Sequence, residues 1–112
     1  MERLRYIRVP KDKKAMEDYD YGVQKEEQME ELVLSEESFD KLWELGVFEQ
    51  INEACDVLID DYEEEVLKLE KIPTALGVVT RLNEENKTEE LIRLRQMLIR
   101  AMENQTIVGF DF

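Results

Sequence analysis

Between Phe48 and Leu69 the residues Phe48, Ile51, Cys55, Leu58, Tyr62 and Leu69 recur at spacings of three, four, three, four and seven. Ile59 and Val66 widen that stripe. The period predicts one long amphipathic helix over residues 48–69 with a single apolar seam. Its other faces carry Glu49, Glu53, Asp56, Asp60, Asp61, Glu63, Glu64 and Glu65, and no Lys or Arg lies between Lys41 and Lys68. One helix is therefore expected to supply both a core seam and an uncompensated acidic surface. Leu58 and Tyr62 are expected in the core with the rest of the seam, and Leu58→Ala is expected to cost what a core truncation costs.

The acidity is unevenly placed. Residues 1–14 carry +4, residues 15–70 carry −17 and residues 71–112 are neutral, for a net charge of −13. A dense negative surface repels nucleic acid and anionic membrane, which are polyanions, and attracts cations or basic proteins. The expected partner is thus a protein, basic in character, with neither nucleic acid nor membrane involved; the oligomeric state is left open. A length of 112 residues fits one domain, and 43% hydrophobic residues suffice for a core. The single cysteine, Cys55, falls on the seam as a small hydrophobe and cannot form an internal disulfide. Met1–Arg5 has no apolar signal core, and no run approaches the ~18 apolar residues of a membrane span. These features point to a reduced, cytoplasmic protein.

Arg3-Leu4-Arg5-Tyr6 alternates, Ile7 and Val9 follow, and Pro10 bounds the segment, so residues 3–9 read as a strand with Leu4 and Tyr6 on one face and the arginines on the other. Asp18–Gly22 reads as a turn; Glu26–Leu32 fits a short helix, and Leu32–Leu34 fits a short strand equally well. Ser35, followed by Glu36 and Glu37, caps a helix of about ten residues that stops at Gly46 and places Phe39, Leu42 and Trp43 in the core. Pro73 ends the long helix near Lys71 and opens another that carries Ala75, Leu76, Val78, Val79 and Leu82, with Asn83–Lys87 as a polar connection. Thr88 caps a last helix that ends at Asn104, and Thr106–Phe112 is β-branched and aromatic, a closing strand that pairs with the first. The expected fold is a single α+β domain, predominantly helical, with three or four helices packed on a small sheet from the terminal strands. Its parts are residues 1–34 (strand and less regular region), 35–104 (helical core) and 105–112 (closing strand).

Histidine is absent, which removes Ser-His and Cys-His pairs and the common zinc sites. The four glycines are dispersed and form no phosphate loop, and the D-x-D-x-D-G calcium pattern is missing. What remains for catalysis is carboxylates around Mg²⁺. Glu27-x-x-Glu30, then Glu53-x-x-Asp56 within Asn52–Ile59, is similar to the ExxE and EExxDVL motifs of the MazG-like all-α nucleotide pyrophosphohydrolases. That resemblance implies Glu27, Glu30, Glu53 and Asp56 presented from two facing helices to Mg²⁺. The capped helix between the motifs and the terminal strands are foreign to that fold, so this enzyme is the alternative. The leading expectation is a non-enzymatic interaction protein that needs no cofactor. Small size, acidity and no catalytic set resemble, in type, the immunity proteins of bacterial toxin systems; an uncharacterised helical scaffold is the blander alternative. Its partner-binding residues are expected to be Glu53, Asp56, Asp60, Asp61, Glu63 and Glu64, joined by Tyr19 and Tyr21 beside Asp18 and Asp20.

Overall fold

The computed structural model describes residues 2–112, with five α-helices and four strands among them. Strand β1 (Arg5–Pro10) is followed by α1 (Lys13–Asp20), a 3₁₀ turn at Glu26–Gln28 and β2 (Met29–Leu34). Helices α2 (Glu36–Glu44) and α3 (Val47–Cys55) come next, then β3 (Glu64–Leu67) and a second 3₁₀ turn at Leu69–Lys71. Helices α4 (Ile72–Asn86) and α5 (Glu89–Asn104) precede β4 (Val108–Asp111). The fold is α+β and predominantly helical, as expected from the sequence.

The terminal strands do pair, and they form the middle of the sheet. Its order is β2-β1-β4-β3, antiparallel throughout, with Ile7 opposite both Leu32 and Phe110. Arg5, Ile7 and Val9 share the face that meets the core, while Tyr6 and Arg8 share the other. Tyr6 and Arg5 thus lie on opposite faces as expected, but Arg8 shares the face of Tyr6, and it is the face of Arg5, only 5% exposed, that turns inward. Strand period alone cannot choose between the two faces when a cation sits on each, and the aliphatic pair Ile7 and Val9 decides it.

The core lies between the sheet and the layer of α2 to α5. Phe48 is fully buried at its centre, with Phe39, Trp43, Phe110 and Phe112 ringed around it at centroid distances of 5.2–6.3 Å. Edge-to-face packing dominates, the arrangement that aromatic quadrupoles favour. Ser35 and Thr88 cap α2 and α5 by accepting from the backbone N–H three residues on, and Pro73 sits in the first turn of α4. Gly46 takes φ +79° between α2 and α3, a conformation glycine reaches without a Cβ penalty. Residues 83–86 extend α4 rather than forming a connection, and the reversal falls on Lys87 at φ +32°. Residues 29–34 settle as strand rather than helix, and Asp18–Asp20 belong to α1.

The long helix predicted over 48–69 does not exist. Helix α3 stops at Cys55, Asp56 takes a left-handed conformation (φ +55°), and the chain loops to β3. Phe48, Ile51 and Cys55 are buried, but Leu58 and Tyr62 are 78% and 79% exposed. Ile59 and Leu67 fill the inside instead. Two forces break the helix. Asp60, Asp61, Glu63, Glu64 and Glu65 would repel one another on successive turns. Asn52 offers the backbone another partner: its amide donates to the Ile59 carbonyl (2.9 Å) and accepts from the Ile59 N–H (2.7 Å).

Two outcomes in urea unfolding follow. Leu58→Ala is expected to change stability by less than about 0.5 kcal/mol, and Ile59→Ala to cost about 2–5 kcal/mol, because only the second opens a cavity. On the outer face of the sheet Tyr19 lies so close over Gly109 that an added Cβ would sit 2.0 Å from the phenol oxygen. Gly109→Ala is expected to cost about 1–3 kcal/mol, and less once Tyr19→Ser has removed the ring.

Candidate functional site

Seven of the fifteen cations are engaged in ion pairs among the described residues. Among the described residues, Arg8 pairs with Glu31 and Asp111, Lys14 with Asp18, Lys41 with Glu90, Arg93 with Glu89, and Arg100 with Glu30 and Glu103. Arg3 and Arg5 both pair with Asp61. By contrast Glu49, Glu53, Asp56, Asp60, Glu63 and Glu64 are exposed and have no cation within ion-pair distance among the described residues. The acids of this face are therefore ones that the fold leaves without an ion-pair partner.

Four of these, Glu49, Asp60, Glu63 and Glu64, line a hollow of about 510 Å³ between Trp43 of α2, α3 and the 58–65 segment; Glu53 and Asp56 do not. Trp43, Leu58 and Ile59 provide its apolar lining, and Glu49, Asp60, Glu63, Glu64 and Glu65 its acidic one. Glu36, Glu37, Asp40 and Glu44 of α2 edge a second hollow together with Glu2 and with Lys41, which pairs with Glu90. Helix α2 thus adds a second group of exposed carboxylates to the surface. Sequence reasoning missed this second group, although the acids at 36, 40 and 44 follow one helix face at i,i+4 spacing.

The 56–65 segment is fastened at several points. Glu65 accepts from the Leu58 N–H (2.8 Å), and Asp60 accepts from the Asp61 N–H (2.8 Å). Asp61 holds the segment to β1. Arg5 donates to it at 3.0 and 3.3 Å, and Arg3 donates to it and to the Phe112 carbonyl. The Arg5 guanidinium also stacks on Phe39 (4.1 Å), and that of Arg3 on Tyr62 (4.0 Å). A buried guanidinium needs a counter-charge, so Asp61 answers a demand set by Arg5 on the core face. Burial alone would raise the Asp61 carboxyl, but the hydrogen bonds from Arg5 and Arg3 outweigh it and hold it below the usual carboxylate range.

The expected binding residues thus divide. Glu53, Asp56, Asp60, Glu63 and Glu64 are free on the surface, whereas Asp61 is tied down as a structural ion pair. Tyr21 is 73% exposed. Tyr19 is committed inside: its hydroxyl lies 3.2 Å from Asp111 Oδ2, and burial first, then the neighbouring carboxylate, pushes the phenol well above its usual range. Tyr62, expected in the core, is on the surface with φ +64°.

The carboxylate pairs of the pyrophosphohydrolase resemblance are not on facing helices. Glu27 falls in a 3₁₀ turn, and Glu30 lies on β2, where it pairs with Arg100 and accepts from Asn104. Glu53 is on α3, and Asp56 is the left-handed residue after it. Among the described residues no group of three or more His, Cys, Asp or Glu is placed to hold a metal ion. Nor is any helix among them long and apolar enough to cross a membrane.

No family model matches the chain, and no curated protein sequence matches it. A solved structure does: the Neisseria DNA mimic protein DMP12 superposes with a TM-score of 0.60 at 18% identity, over 97% of this chain and 98% of that one. This likeness is one of fold. It corrects the expectation about partners, which set nucleic acid aside altogether: the structure that shares this architecture is described as a mimic of DNA.

Because the Asp61 carboxyl is depressed, its stabilising contribution is full above the ordinary aspartate value of about 3.9 and is lost as pH falls through the lowered one. Asp61→Asn is expected to lower the melting temperature at neutral pH and to flatten the decline in stability on the acid side. Thermal unfolding of both proteins between pH 2 and pH 7 measures this.

Proposed function

We propose that this protein imitates DNA: its acidic face occupies the DNA-binding surface of a nucleic-acid-binding protein and keeps duplex DNA out. The observation that carries the reading is a group of exposed carboxylates without ion-pair partners, four of them around the hollow beside Trp43, on a fold shared with a DNA mimic. The charge density supports it. A net −13 over a longest dimension of 37 Å is about one charge per 3 Å, against about one per 1.7 Å of duplex axis. A protein surface built to meet phosphates would meet these carboxylates with the same Lys and Arg side chains. Steering between opposite charges would speed the encounter, and salt would slow it.

The face is also built as a mimic requires. Glu63, Glu64 and Glu65 stand at the start of a sheet strand, Glu49 and Glu53 on a packed helix, and Asp60 in a loop pinned by Asp61 and Asn52. Fixed charges lose less conformational freedom on binding than charges on mobile chain. The immunity-protein reading becomes a special case of the same surface, one in which the partner is a nuclease toxin whose substrate cleft is itself a DNA-binding site. The apolar set Trp43 and Leu58 and the surface tyrosines Tyr21 and Tyr62 supply contacts beyond charge.

The test is displacement. The immobilised protein is loaded with lysate of its host and eluted with duplex DNA, or with polyglutamate of equal total charge. DNA-binding proteins are expected in the duplex eluate, and each of them, purified, is expected to lose its DNA complex when the protein is added. Asp60→Lys with Glu64→Lys is expected to slow association with such a partner about tenfold or more, and the wild-type rate to fall as salt rises. Retained proteins that bind no DNA, or that duplex DNA fails to displace, would overturn the reading.

A further inference from the structure

Mimicry of phosphates accounts for the carboxylates around the 510 Å³ hollow but not for its floor. Leu58 stands 78% exposed beside the half-buried Trp43, ringed by Glu49, Asp60, Glu63 and Glu64. The leucine is held in the open by its surroundings: its own N–H is bound by Glu65, and Asn52 grips the next residue, Ile59, through both backbone groups. It cannot fold back onto the core without breaking these bonds. The DNA backbone presents no such aliphatic surface to a protein.

We propose that this hollow is an anchor site for an arginine-bearing segment of the DNA-binding partner, taking an apolar side chain next to the arginine onto Leu58 and Trp43. This rests on the DNA-mimic reading and adds to it the way in which the mimic outlasts the DNA that it displaces. The occupant follows from the chemistry of the walls. A guanidinium meets the rim carboxylates and stacks on the indole, as guanidinium groups do on aromatic faces. Its aliphatic stem and an apolar neighbour cover the leucine. A second copy of this chain is a poor occupant, because each copy carries a net −13. Charge attraction weakens with salt while apolar burial does not, so the site gives the complex a part that salt leaves intact.

Trp43 is the single tryptophan of the chain and lines the hollow, so its fluorescence reports occupancy directly. The full chain is titrated with two synthetic peptides of equal charge, one of arginine and serine, the other with leucines in place of some serines, at about 50 mM and about 500 mM salt, where the screening length differs several-fold. The leucine peptide is expected to bind about tenfold tighter, since burying one such side chain is worth about that factor or more, and to shift Trp43 emission to the blue. Its advantage is expected to persist at high salt and to vanish in Leu58→Ser, with the affinity for the serine peptide and the urea midpoint unchanged. Equal affinities for both peptides, or an advantage that survives Leu58→Ser, would overturn the proposal. So would sedimentation of the wild type as a dimer that Leu58→Ser dissociates, which assigns the hollow to a second copy. No DNA enters this experiment, so its failure is separate from failure of duplex DNA to displace a captured partner.

Discussion

The antiparallel pairing of β1 with β4 is the constraint on which the rest of the molecule depends. It brings Ile7 against Phe110 at the centre of the sheet and leaves β2 and β3 to be added on either side. Phe110 then meets Phe48, and Phe112 meets Phe39 and Phe48, so the aromatic centre of the core joins the last strand to α2 and α3. The same pairing places Arg5 on the core face, where its charge demands Asp61, and Asp61 in turn sets the course of the acidic loop. Backbone pairing, aromatic packing and one ion pair thus decide where the surface carboxylates stand.

Charge is divided between two tasks. Acids that meet a cation, such as Asp61, Asp111, Glu30 and Glu31, tie elements together. Acids that meet none repel one another, at a few tenths of a kcal/mol per close pair in a helical setting. Burial of side chains such as Phe48, Phe110, Leu91 and Leu98, worth about 1.5–3 kcal/mol each, offsets that repulsion comfortably. A chain under no demand for an acidic face would interleave lysine at such positions; this one has none between Lys41 and Lys68.

Much of the fold was legible where local signals agree. Ser35, Gly46, Pro73, Thr88 and Asn104 marked helix boundaries because capping and proline geometry are local effects. The closing strand and its pairing were legible in Thr106–Phe112. What failed was the segment after Cys55. Leu58 and Tyr62 continue a helical spacing by coincidence, and no glycine or proline interrupts it. The stop comes from Asn52 reaching seven residues forward and from β3 finding a place beside β4, neither of which periodicity contains. The acids of the candidate face were named correctly as exposed except for Asp61, whose commitment depends on an arginine 56 residues away. Trp43 and Leu58 as neighbours in one hollow follow from the break itself, so a reading that kept the helix intact had no route to them.

The central position of β4 has a consequence for synthesis. Tyr6 and its partner Asp111 are separated by almost the whole chain, so the middle of the sheet stays empty until the ribosome has released residues 108–111. Until then β1 has a partner only in β2, and Phe48 lacks the rings of Phe110 and Phe112. The nascent chain carries its full excess of negative charge at that stage, and self-repulsion keeps its exposed strand edges from joining those of its neighbours on the same message. The acidity of the chain therefore also acts during the interval in which its core cannot yet close.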